Sequence, residues 1–95
     1  MNDLKTTRDL FAYTEWADAI VWTQVVRDAA ASADGRVRDY LFHSHMVQGL
    51  FLAVWRGAPL QVPPKEAPGL PSILALSQST HAEIASFLRN LDEVL

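Results

Sequence analysis

The chain has 95 residues, enough for one domain with a single hydrophobic core. Eight lysines and arginines stand against eleven acidic residues, and the resulting net charge of −3 excludes the large basic surface that nucleic-acid binding requires. Cysteine is absent, which excludes disulfides, thiol nucleophiles and thiolate metal sites, so any metal must be held by nitrogen or oxygen atoms. The N-terminal residues lack the apolar core of a secretory leader, and we expect a cytoplasmic protein.

The first predicted element is a long helix over residues 7–31, a stretch that contains no proline or glycine. Apolar residues recur along it at three- and four-residue steps and define a face that we expect to be buried, formed by Leu10, Tyr13, Ala17, Ile20 and Val21. A turn is predicted at residues 32–35, whose sequence Ser-Ala-Asp-Gly is typical of a helix end.

A second helix is predicted from residues 34–37 to Arg56, where Gly57 ends it. It is apolar nearly all round over residues 40–55, which indicates that one face packs in the bundle core and the other against a partner subunit. The polar residues and short length of this stretch argue against a membrane-spanning helix, for which about 18 apolar residues are needed.

All five prolines lie in residues 59–71 and predict an extended connector, a strap lying along the domain. A third helix is predicted from residues 71–72 to about residue 95. Its core-facing stripe alternates steps of three and four residues and consists of Leu74, Ser77, His81, Ile84, Leu88, Leu91 and Leu95. The predicted fold class is therefore all-α, an up-down helical bundle with three helices in a single domain over residues 1–95.

The histidines are the candidate ligands of the chain. His43 and His45 lie on the second helix, and at 100° per residue their rings point to different sides, so the two cannot bind one ion together. We expect the His43 ring in the interior. His81 lies on the third-helix stripe, and a His43–His81 pair across the bundle is one arrangement, to which Glu15 or Asp39 would add oxygen. The other interpretation of each histidine is a hydrogen-bonded core residue.

Motifs for the commonest enzyme chemistries are missing from the sequence. There is no Gly-rich phosphate loop, no Gly-x-Ser-x-Gly elbow and no His-Glu-x-x-His helix. The three tryptophans, at positions 16, 22 and 55, are interpreted as fillers of the core or of an interface. The residues taken alone therefore indicate no particular reaction.

Two stretches resemble the DinB superfamily. Residues 10–18 are similar to the family's first-helix signature, in which a tyrosine precedes Trp-Ala-Asn; here Tyr13 precedes Trp-Ala-Asp at residues 16–18, with Asp18 in place of the asparagine. Residues 41–43 and 51–57 are similar to the second helix of the family, in which a metal-binding histidine precedes a closing Arg-Gly. Together with the strap and the third helix, the resemblance covers nearly the whole chain.

The resemblance implies a four-helix bundle, usually dimeric, that holds a divalent metal with one histidine of the second helix and a His-x-x-x-His pair of a later helix. His43 matches the second-helix position, and His45 does not. The chain contains no His-x-x-x-His pair. The resemblance therefore implies either the N-terminal portion of a longer protein or a reduced version whose site is lost or is completed by another subunit.

The implied function is that of a metal-dependent enzyme of hydrolase or thiol-transferase type acting on a small molecule. Zn²⁺, Ni²⁺ or Fe²⁺ would be bound by His43. His81 is a second candidate ligand, and the pocket wall would be formed by Tyr13, Trp16 and Val47. The alternative is a non-catalytic homodimeric helical module in which His43 is a core histidine.

Overall fold

The computed structural model describes residues 3–60 and 64–94, and in these residues it contains four helices and no strand. Helix α1 spans Asp3–Arg27, α2 spans Ala29–Ala33, α3 spans Gly35–Arg56 and α4 spans Leu70–Val94. The predicted all-α class is confirmed. None of the described helices has the length and apolarity that crossing a bilayer demands.

The single first helix predicted over residues 7–31 is instead two helices, because Asp28 interrupts it. The backbone of Asp28 is extended, and its side chain accepts hydrogen bonds from the backbone N–H groups of Ala30 and Ala31. An aspartate in this position satisfies the free N–H groups at the start of a new helix. The hydroxyl of Ser32 donates to the carbonyl of Val25 at 2.6 Å and fastens α2 to the end of α1.

Helix α3 begins and ends where the sequence predicts. Asp34 caps its N-terminus by accepting a hydrogen bond from the backbone N–H of Arg36 at 2.8 Å, and this bond lowers the pKa of the Asp34 carboxyl below its ordinary value of 3.8. At the other end Gly57 adopts a left-handed conformation with φ of 66°. A residue with a Cβ atom is strained in that conformation, so glycine is the natural end of the helix.

Two clusters of buried apolar residues show how the long helices run. The first contains Trp22 of α1, Leu41 of α3 and Ile73 of α4. The second contains Leu52 of α3 and Ile84 of α4, with the N-terminal half of α1 packed against it. Helices α3 and α4 therefore run parallel to each other, and α1 runs antiparallel to both.

The parallel pair corrects the predicted up-down topology, because a parallel neighbour requires the chain to travel back along α3 before α4 begins. The strap provides this return. Pro64, Lys65 and Glu66 of the strap border a surface groove together with the segment 38–46 of α3, near the N-terminal end of that helix. The prediction of a strap lying along the domain is confirmed for its described residues.

The buried stripe of α4 is also as predicted. Ser77, His81, Ile84 and Leu88 are buried, whereas Leu74 and Leu91 are half-buried. Leu95 lies outside the described residues. The stripe contacts both other long helices, so α4 is the element that holds α1 and α3 together.

The face of α1 that the sequence predicts to be buried is largely exposed. Leu10 is 58% exposed and Tyr13 is 64% exposed, whereas Trp22 and Val25 on a different side of the helix are buried. The prediction is wrong because α1 has apolar residues on two sides, and α4 covers only the side that contains Trp22 and Val25.

Candidate metal centre

Two buried imidazoles and one carboxylate meet between the three long helices. Asp18 lies on α1, His45 on α3 and His81 on α4, and each offers one ligand atom such that all three atoms lie within 4.8 Å of one another. His45 is 1% exposed and His81 is 7% exposed, while Asp18 is half-buried. Buried polar groups of this kind need partners, because desolvation without a hydrogen bond is costly.

The carboxylate of Asp18 connects all three long helices. One of its oxygens, Oδ2, lies 2.8 Å from Nε2 of His81 and accepts a hydrogen bond at 3.1 Å from the side-chain amide of Gln48 on α3. Because an ionised carboxylate only accepts, Nε2 of His81 carries the proton in this pair. The pair is a salt bridge only when the His81 ring is also protonated at Nδ1.

His45 is held by a tryptophan. The indole Nε1 of Trp22 donates to Nε2 of His45 at 3.1 Å, and the two ring planes are nearly parallel, at 15°, with 6.0 Å between their centroids. Since an indole N–H only donates, Nε2 of His45 is the unprotonated nitrogen of the ring. The other ring nitrogen, Nδ1, is buried without a hydrogen-bond partner among the described residues, as is the carbonyl oxygen of the Gln48 side chain.

The electrostatic environment keeps the His45 ring neutral. Burial lowers the pKa of His45 below its ordinary value of 6.5, and the neighbouring His81 lowers it further, while the negative charge of Asp18 acts in the opposite direction with a smaller effect than burial. A neutral imidazole with an available lone pair is the form that ligates a metal ion. The neutral ring has its one lone pair at Nε2, where the Trp22 N–H occupies it, so an ion binds at that nitrogen only by displacing this hydrogen bond.

A cavity of about 440 Å³ opens beside the cluster, between α1 and α4. Asp18 and His81 form part of its wall, so a molecule inside it would reach two of the three candidate ligands. Its remaining wall is mainly apolar, with Glu15 and Arg27 the other charged residues that border it. A pocket of this size and composition suits a small organic ligand with an apolar body.

His43 lies away from this cluster. Its side chain is exposed and borders the groove between α3 and the strap residues Pro64, Lys65 and Glu66. The prediction that its ring projects into the interior is wrong, because α4 covers the opposite side of α3. The rotation of about 200° between positions 43 and 45 places His45, and not His43, on the covered side.

The expected pocket wall is also in a different place. Tyr13 is 64% exposed and Trp16 is 58% exposed, and Val47 is half-buried. None of the three borders the cavity beside Asp18 and His81. The rings of Tyr13 and Trp16 contact each other on the outer surface of α1, with 5.6 Å between centroids.

Of the residues singled out as ligands from the sequence, His81 alone belongs to the cluster, and its predicted interior position is confirmed. Sequence reasoning missed Asp18 and His45 as candidate ligands. The sequence does contain a signal for His45, because positions 41, 45 and 52 lie on one side of a helix and two of them are leucines. The only signal for Asp18 in the sequence is that it stands where the first-helix signature of the DinB superfamily has an asparagine.

Comparison of the chain with protein-family models, with curated proteins and with solved structures finds no match.

Proposed function

We propose that this chain is a metal-binding helical domain in which Asp18, His45 and His81 hold one divalent cation. The observation that carries the proposal is the convergence of three ligand atoms from three separate helices to within 4.8 Å, at a site where both imidazoles are buried. Two imidazole nitrogens and one carboxylate oxygen are a donor set that suits Zn²⁺, Ni²⁺ or Fe²⁺.

The residues fit such an ion with a modest adjustment. Ligand atoms around one tetrahedral ion stand roughly 3.4 Å apart at bond lengths of about 2.1 Å, so the 2.8 Å between Oδ2 of Asp18 and Nε2 of His81 must widen, while any separation near 4.8 Å must shorten. His45 has a buried nitrogen with no partner among the described residues, and a second nitrogen whose hydrogen bond comes from Trp22. An ion at Nε2 would replace the Trp22 N–H as the partner of that lone pair, and an ion at Nδ1 would require the ring proton to leave that nitrogen.

A bound ion with three protein ligands would supply Lewis acidity and an acidified water molecule. The surrounding residues have positioning roles. Gln48 holds Oδ2 of Asp18, and the hydrogen bond from Trp22 orients the His45 ring. The cavity beside Asp18 and His81 would bind the apolar body of a small-molecule substrate.

This proposal favours the DinB-like interpretation of the sequence, a metal-dependent enzyme of hydrolase or thiol-transferase type. It differs from that interpretation in its ligands. All three lie within this chain, His43 is not among them, and Asp18 supplies oxygen where the family signature has an asparagine. A cytoplasmic location and the identity of the metal stay predictions.

The alternative is a non-catalytic helical module, and one observation favours it. The cluster has internal hydrogen bonds without an ion, since His81 pairs with Asp18 and Trp22 donates to His45. In that case the core histidine is His45, because the ring of His43 is exposed.

Metal titration distinguishes these functions. The purified chain is stripped with a chelator and titrated with Zn²⁺, Ni²⁺ and, under anaerobic conditions, Fe²⁺, while calorimetry and elemental analysis give affinity and stoichiometry. We expect one ion per chain for at least one metal. His45→Gln and His81→Gln should abolish this binding while circular dichroism shows that the helices persist.

His43→Gln is the matched control, because it removes an imidazole from the same helix at an exposed position. This variant should bind the metal as the unmodified chain does. A folded chain that binds none of the three metals would contradict the proposal, as would a His43→Gln variant that loses as much affinity as His81→Gln.

A further inference from the structure

The cavity between α1 and α4 has opposite charges at its two ends. Glu15 and Asp18 border it at one end, beside His81, and Arg27 borders it at the other. Arg27 lies nine residues after Asp18 on α1, and at about 1.5 Å per residue the two backbone positions are about 14 Å apart. A molecule lying along the cavity therefore meets carboxylates at one end and a guanidinium group at the other.

Arg27 is the only lysine or arginine that borders this cavity among the described residues. It forms no ion pair with a described carboxylate. The acidic residue next to it, Asp28, instead accepts hydrogen bonds from the backbone N–H groups at the start of α2. Side chains of a helix lean toward its N-terminus, so the Arg27 side chain leans back along the cavity toward Asp18. Its guanidinium group is therefore available to a carboxylate in the cavity, the partner that its planar set of donors fits best.

Between its charged ends the cavity has a mainly apolar wall, to which Trp22, Val26 and Leu74 contribute. Its volume of about 440 Å³ lies within the usual range for sites that bind small organic molecules. A sugar or another highly polar molecule would lose its hydration against this wall without gaining enough hydrogen bonds in return. The wall therefore favours a ligand whose body is apolar.

Ser77 is a second and independent indication that the cavity holds a ligand. It borders the cavity and is 3% exposed, and it forms no hydrogen bond with another described residue. On α4 it lies between Leu74 and His81, and so between the two ends of the cavity. Buried hydroxyl groups normally have a partner, because an unsatisfied one costs free energy. A polar atom of a bound molecule would supply that partner.

We infer that this cavity binds a small organic carboxylate with an apolar body, whose carboxylate pairs with Arg27 and whose other end reaches Asp18 and His81. The orientation follows from charge, because the carboxylates of Glu15 and Asp18 repel an anion that Arg27 attracts. The inference rests on the proposed function for the other end of the ligand, where the cation would act on its reactive group. Binding of the carboxylate itself needs no cation, because Arg27 is remote from the cluster.

Titration of the metal-free chain with octanoate and with 1-octanol tests the inference. The two probes share an apolar chain and differ in charge. Octanoate should bind once per chain, with a dissociation constant about fivefold or more below that of 1-octanol. In nitrogen-15 NMR spectra, octanoate should shift the indole signal of Trp22, which borders the cavity. It should leave the signal of Trp16, which is 58% exposed and lies outside the cavity, unchanged.

Arg27→Gln removes the cation from the end of the cavity. This variant should raise the dissociation constant of octanoate by about fivefold or more and leave that of 1-octanol unchanged within about twofold. Arg36→Gln is the matched control, because it changes the net charge equally at a side chain that is 94% exposed and lies outside this cavity. It should leave both dissociation constants unchanged within about twofold.

Four results would overturn the inference: no saturable binding of octanoate, equally tight binding of 1-octanol, equal losses in Arg27→Gln and Arg36→Gln, or a shift at Trp16 without one at Trp22. Because the titration uses the metal-free chain, its outcome is separate from that of the metal titration. A chain that binds a cation but not octanoate contradicts this inference alone. A chain that binds octanoate but no cation contradicts the proposed function and leaves the carboxylate site supported.

Discussion

The indole nitrogen of Trp22 donates a hydrogen bond to Nε2 of His45 across the interior at 3.1 Å, and so joins α1 to α3 at the candidate metal centre. This bond sets which nitrogen of the His45 ring is unprotonated. Trp22 therefore has a defined role beside the cluster, although the sequence alone indicates only a residue that fills the core.

Trp22→Phe removes this donor and keeps an aromatic ring in the core. We expect the free energy of unfolding of the metal-free chain to fall by about 1–3 kcal/mol, since a buried acceptor loses its partner and the smaller ring leaves space. Denaturant unfolding at a fixed protein concentration measures this. Zn²⁺ affinity should fall by about tenfold or more, because His45 loses the residue that orients its ring, and an unchanged affinity would contradict the assigned positioning role. Trp16→Phe, at a side chain 58% exposed, is the control.

The stability of the metal-free chain should fall as the pH drops below 6.5. Burial lowers the pKa of His45 in the folded state below its ordinary value of 6.5, so in this range the unfolded chain binds more protons than the folded chain does. The loss continues until the pH reaches the folded-state pKa. Urea unfolding in the presence of a chelator, at a series of pH values from neutral to mildly acidic, measures this dependence.

His45→Gln is the comparison for the pH series, because glutamine does not titrate. The dependence between pH 6.5 and the folded-state pKa should be weaker in this variant than in the unmodified chain. An unchanged slope would show that another group is responsible.

Leu88→Ala should cost about 2–4 kcal/mol of unfolding free energy. Leu88 is 4% exposed and packs with Leu52 and Ile84, so truncation removes apolar contacts and leaves a cavity. Leu60→Ala, in the strap at a side chain 60% exposed, should cost less than about 0.5 kcal/mol. Equal losses in the two variants would mean that the second core cluster is not packed as described.

Two glycines of the same region should respond to alanine with opposite signs. Gly57→Ala should destabilise the chain by about 1 kcal/mol, because its φ of 66° is strained for any residue with a Cβ atom. Gly49 lies inside α3, where the position that an alanine methyl group would take has no described side chain or neighbouring helix within 4 Å. Gly49→Ala should therefore stabilise the chain by up to about 1 kcal/mol. Thermal unfolding of both variants measures the two signs.

Much of the fold could be predicted because its signals are local. The α4 stripe, the end of α3 at Gly57 and the proline-rich strap each follow from short-range patterns. The break at Asp28 also has a local cause, the capping of α2 by its side chain. It was not predicted because aspartate occurs inside helices as well as at their N-termini, so the residue type alone does not indicate a break. Parallel packing of α3 and α4 depends on contacts far apart in the sequence and has no local signal.

The site was harder to predict, and His43 and His45 show why. Both lie on a helix that is apolar nearly all round, so periodicity does not reveal which side another helix covers. For the same reason, the side of α1 that the sequence predicts to be buried is largely exposed in the structure. Only the position of α4 decides that His45 faces Asp18 and His81, which are separated from it by many residues along the chain.

The return of the strap along α3 also affects how the protein is made. On the ribosome α1 and α3 are synthesised before α4, and until the strap has doubled back Leu41 and Leu52 lack their α4 neighbours Ile73 and Ile84. A nascent chain at that stage shows bare apolar surface on both sides of its helical hairpin, which is what chaperones bind. The nascent chain is therefore exposed to aggregation until α4 is complete.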